Sequence, residues 1–107
     1  MANFDDFLDA LKVGIAGLVD ELEDHKDAVL AASQAFIDDS EEDFKKWTRQ
    51  VAEGEMSADD LAFLVKGKTD LAMVNWHTQI GMTKVAVDKF RQSVLDLIKS
   101  TAIDVFL

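Results

Sequence analysis

No proline occurs anywhere in the 107 residues, and glycine occurs only five times. In a helix interior proline costs about 3 kcal/mol and glycine about 1 kcal/mol relative to alanine. A chain nearly free of both is therefore biased towards helix along its whole length. The apolar spacing agrees. Phe4, Leu8, Leu11, Ile15, Leu18, Leu22, His25, Val29, Ala32 and Phe36 recur in steps of three and four, the repeat of one helix face. Hydrophobic residues make up 49% of the chain, enough for a core. The predicted fold is all-α, a single helical domain over residues 1–107.

Capping residues divide this domain. Asn3 is a good N-cap, with Asp5 and Asp6 in the positive first turn of helix one. That helix runs to about residue 38, either unbroken or bent at Gly14 and Gly17. Ser40 and Ser57 then open two short helices, about 40–53 and 57–66, which Gly54 and Gly67 close. Thr69 opens a last long helix, 69–106, whose only breaker is Gly81. Met73, Ile80, Val87, Val94 and Thr101 form one heptad row, and Trp76, Thr83, Phe90 and Leu97 the next. The expected architecture is two long antiparallel amphipathic helices joined by two short ones.

The end of the chain, SVLDLIKSTAIDVFL, departs from a one-stripe pattern. Beyond Val94 it is apolar on two sides, and a second apolar stripe needs a second neighbour. That neighbour is either a short helix of the same chain or another copy of the chain; the leading reading takes another copy, through Val94, Leu95, Leu97, Ile98, Ala102, Ile103, Val105 and Phe106. This makes a self-associating structural protomer the leading expectation.

Charge supplies the alternative. Residues 1–43 hold 13 acids and two bases, whereas residues 44–107 hold eight acids and nine bases. Asp38, Asp39, Glu41, Glu42 and Asp43 form the densest cluster, a surface for a basic protein partner in the manner of an immunity protein, antitoxin or adaptor. The plainer reading is a solvated face. A net charge of -10 opposes binding to nucleic acid and to anionic lipid. Lys84, Lys89 and Arg91, interrupted by Asp88, read as salt-bridge partners. A membrane-active tail is a third possibility, disfavoured by its scarcity of bases.

No motif points to catalysis or to a cofactor. There is no cysteine. Glu21 and His25 share a helix face, but a metal site needs three or four converging ligands. His77 follows Trp76 near Met73 and Met82; without a haem-attachment motif, Trp76 reads as a core anchor with His77 exposed beside it. No glutamate follows Glu55, which excludes the carboxylate pattern of a di-iron bundle from the last helix. The Asp38–Asp43 run lacks the order of a calcium loop, and KGKTD lacks the rest of a phosphate-binding loop. The N-terminus is acidic where a secretory signal is basic, and the longest uncharged run, residues 71–83, is short of the ~18 residues of a membrane span. The expectation is a non-enzymatic cytoplasmic protein without cofactor or metal.

Overall fold

A computed structural model describes residues 3–107. The elements are α1 (Phe4–Asp20), α2 (Lys26–Ala52), α3 (Ala58–Met73), the single turn α4 (Trp76–Gln79) and α5 (Lys84–Phe106). The described residues contain no strand, as expected of an all-α chain. α5 packs against α1, α3 and α2, while α1 packs on α2 and α2 on α3. The molecule measures 40 × 22 × 19 Å.

Two of the expected caps form as local chemistry demands. Asn3 accepts from the Asp6 amide while the Asp6 carboxylate accepts from the Asn3 amide, both at 3.1 Å. Ser57 and Asp60 make the same reciprocal pair ahead of α3. Each satisfies two amides that have no partner within the helix. Gly54 stands just past α2 at φ +78, in the left-handed conformation that favours glycine.

Both long helices are interrupted, the first at a place other than its glycines and the second around Gly81, one of the two bend points that the sequence offers. Helix one stops at Asp20, not at its glycines, and the chain turns through residues 21–25 with His25 at φ 67. Asp20, Glu21, Glu23 and Asp24 gather at the negative end of α1, whose last turn carries no base to offset them. α2 then runs straight through Ser40, which is buried in mid-helix and caps nothing. α3 likewise continues through Gly67 and Thr69 to Met73. The Thr69 hydroxyl donates to the Lys66 carbonyl at 3.0 Å, so the predicted cap is a buried polar group satisfied inside the helix.

The last helix breaks between Met73 and Lys84. Gly81 takes φ +91, and Thr83 caps α5 by accepting from the Ala86 amide at 3.1 Å. An unbroken 69–106 helix would measure about 57 Å, well beyond the 40 Å long axis. Met73, Trp76, Val87 and Phe90 of the predicted rows are buried, but within the break Ile80 is half-buried, Thr83 is exposed and Met82, outside both rows, is buried. Trp76 packs on Phe90 with ring centroids 5.9 Å apart.

Candidate functional site

The C-terminal residues read as a subunit interface lie largely inside the chain's own core. Val94, Leu95, Ile98 and Ala102 are buried, and Leu97, Val105 and Phe106 are half-buried against the same cluster. Of the eight, only Ile103 keeps substantial exposure, at 40%. The second stripe of α5 does have a second neighbour, but the chain provides it. α3 covers one side and α1 another. Leu97 packs onto Gly14 so closely that a Cβ there would stand 2.6 Å from a Leu97 methyl. Phe106 closes on Phe7, centroid to centroid 5.8 Å. Assigning these side chains to an intermolecular contact assumed one intrachain neighbour for α5, and the break after α1 supplies an extra one.

The acidic cluster is divided. Asp38, Asp39, Glu41 and Glu42 are exposed, whereas Asp43 is half-buried and forms an ion pair with Lys68 of α3. All five lie in the middle of α2, so they gain nothing from a helix N-terminus. Lys45, Lys46 and Arg49 continue the same helix and are exposed.

Exposed large apolar residues gather on α3 and its C-terminal end, while Val13, Val85 and Leu107 stand exposed elsewhere. Phe63, Leu71 and Val74 are 76%, 81% and 60% exposed. At helical spacing they form one outward stripe from Phe63 to Val74. Gly67 lies on it, with no atom within 4 Å of the place its Cβ would occupy. The opposite side of α3 buries Leu61, Val65, Thr69 and Met73. The signal was present in the sequence as a second set of apolar residues at 63, 71 and 74, outside the inward row.

Charged groups flank this stripe. Asp70 accepts from Lys66 at 2.8 Å and from Arg91 of α5 at 2.9 Å, and Arg91 also reaches Asp88 at 3.1 Å. The Lys66 hydrogen bond is the main force holding the Asp70 carboxyl below its ordinary pKa; partial burial opposes it, and Arg91 adds to it. Asp59, at the start of α3, pairs with Lys99 of α5 and raises the lysine's pKa, chiefly through that hydrogen bond. These pairs fix α3 against α5 while leaving its outer face open.

His25 and His77 are both exposed. The His25 ring lies over Gly81, 3.5 Å from where a Cβ would be. Among the described residues no group of three or more His, Asp or Glu converges on a common point as metal ligands would. Also among the described residues, no helix is long and apolar enough to cross a membrane. Compared with protein-family models, with curated proteins and with solved structures, the chain matches none.

Proposed function

We propose that this is a non-enzymatic interaction protein that pairs with a second copy of itself through the outer face of α3. The observation that carries this reading is the symmetry of the exposed stripe. Phe63 and Leu71 stand four residues to either side of Gly67, and all three face solvent. A two-fold contact uses the same patch on both subunits and must be self-complementary. In an antiparallel crossing at Gly67, Phe63 of each copy meets Leu71 of the other. The bare glycine lets the two backbones come close.

Magnitudes set the strength. Burying one large apolar side chain contributes about 1.5–3 kcal/mol, so Phe63, Leu71 and Val74 contribute roughly 4–9 kcal/mol per copy before discounting what is already covered. Association costs about 4–15 kcal/mol in lost freedom. The balance is a reversible dimer with high-micromolar to millimolar affinity rather than an obligate one. The contact is apolar, so raising salt leaves it intact.

Sedimentation equilibrium over a wide concentration range tests the reading. The wild type is expected to show a reversible monomer–dimer equilibrium. Leu71→Asp, at a side chain with nothing to lose from the core, is expected to be monomeric throughout with an unchanged fold. A wild type monomeric at millimolar concentration, or a Leu71→Asp variant that associates equally well, would defeat the proposal. In the first case the exposed acids of α2 and a basic protein partner become the next surface to examine.

A further inference from the structure

A groove on another side of the molecule lies between the start of α1, the second half of α2 and the end of α5. It encloses about 530 Å³ and is lined by Phe4, Thr48, Ala52 and Phe106, with Glu42, Lys45, Lys46 and Arg49 around it. We infer that this groove binds a single-chain amphiphile with a carboxylate head, such as a medium-chain fatty acid.

The apolar lining is preformed. Phe4 and Phe106 both rest on the fully buried Phe7, with ring centroids 6.1 and 5.8 Å away. Phe7 in turn meets Phe44 edge-on at 6.4 Å. Two half-buried rings on a rigid aromatic stack offer apolar surface without reorganisation, which lowers the cost of binding. The volume falls within the ~300–1,000 Å³ range of small-molecule sites.

The cations give the sign of the head group. Acids outnumber bases 21 to 11 in this chain. Lys66, Lys68, Arg91 and Lys99 all find carboxylates. Among the described residues the other seven of the 11 bases, Lys45, Lys46 and Arg49 included, make no ion pair, so these three are set apart by their place beside two aromatic rings and not by lacking a partner. Arg49 lies in the last turn of α2, where the helix end favours positive charge, but that does not account for Lys45 and Lys46. Arg49 presents the planar fork that matches a carboxylate in two parallel hydrogen bonds. Glu42 on the same rim opposes a densely charged head such as a phosphate dianion. An alkyl carboxylate satisfies both parts of the groove at once.

Titration of the full chain with sodium decanoate below its micellar concentration, followed by calorimetry and by amide shifts, tests the inference. Saturable one-to-one binding is expected, with shifts confined to residues near 4, 45–52 and 106. Decanol and acetate, each carrying half the chemistry, are expected to bind at least tenfold more weakly. The double variant Lys45→Glu/Arg49→Glu, on exposed side chains, is expected to lose at least tenfold in affinity. Ala52→Trp fills the groove without changing charge and is expected to abolish binding, while Leu71→Asp leaves it unchanged. Absence of saturation, equal binding to the charge-reversed protein, or shifts centred on α3 would overturn the inference.

Discussion

The second half of α5 and the outer face of α3 are both rich in apolar side chains, yet the fold treats them oppositely. α5 is apolar on two sides and has both sides covered, by α1 and α3. α3 is apolar on two sides and has only one covered, which leaves Phe63, Leu71 and Val74 in water. The difference is one of position in the bundle. α5 packs against α1, α2, α3 and the single turn α4, whereas α3 sits at an edge between α2 and α5. Apolar content shows how much surface a helix seeks to bury; the number of neighbours determines how much it does bury.

The largest expected effect separates the two helices directly. Ile98 is completely buried and Leu71 is 81% exposed. Ile98→Ala is expected to cost about 2–5 kcal/mol in urea unfolding, while Leu71→Ala stays within roughly 0.5 kcal/mol of wild type. Similar losses at both sites would remove the distinction.

The glycines of α1 give the next test. Gly17 has nothing within 4 Å of a prospective Cβ, whereas Gly14 is covered by Leu97. Gly17→Ala is expected to stabilise by about 0.5–1 kcal/mol through helix propensity. At Gly14 the same gain is opposed by overpacking that typically costs about 1–3 kcal/mol. Gly14→Ala is therefore expected to fall below Gly17→Ala in thermal midpoint, by an amount that measures how rigidly α5 is held.

The smallest effect concerns the ion pairs joining the two helices. The Asp70 carboxyl lies below its ordinary pKa because Lys66 and Arg91 favour its charged form. Its contribution is thus fully present above the unfolded-state pKa near 3.9 and is lost as pH falls through the lower folded-state value. Asp70 is partly exposed, and such pairs contribute about 0–1 kcal/mol. Asp70→Asn is expected to lower stability slightly at pH 7, and wild type and variant to converge in strong acid. A gap that persists or widens at low pH would contradict this sign.

The sequence was most legible where a cap is settled by its own neighbours. Asn3 with Asp6 and Ser57 with Asp60 close their hydrogen-bonded boxes within four residues. Ser40 and Thr69 stand before acids in much the same way, yet both are buried inside helices. Packing of the flanking segments decides between a cap and a buried hydroxyl, and no local pattern contains that information. The turn at residues 21–25 was hidden for a related reason. It uses neither glycine nor proline, only charge repulsion at a helix end and a histidine that accepts a positive φ.

The candidate surfaces follow the same division. Val94, Leu95, Ile98 and Ala102, which the pattern reads as a subunit interface, are buried within the chain itself, because what covers them depends on where helix one ends. Phe63, Leu71 and Val74 were visible as letters, and their exposure became evident only once α2 and α5 had taken their places beside α3. The groove of Phe4, Arg49 and Phe106 brings three distant stretches of chain together, which no spacing rule could anticipate.

The seat of Leu97 on Gly14 also bears on how the molecule assembles. α1 with α2, and α3 with α5, are each joined by short connections and form contacts close in sequence. The Gly14–Leu97 contact closes a loop of roughly 80 residues, and such closure is entropically costly until many contacts reward it together. The fold divides into two hairpins, α1–α2 and α3–α5, that meet at this contact. The first carries nearly all the excess negative charge and the second is close to neutral, so their encounter meets little long-range repulsion. A residue without a side chain is the place where the two hairpins key together.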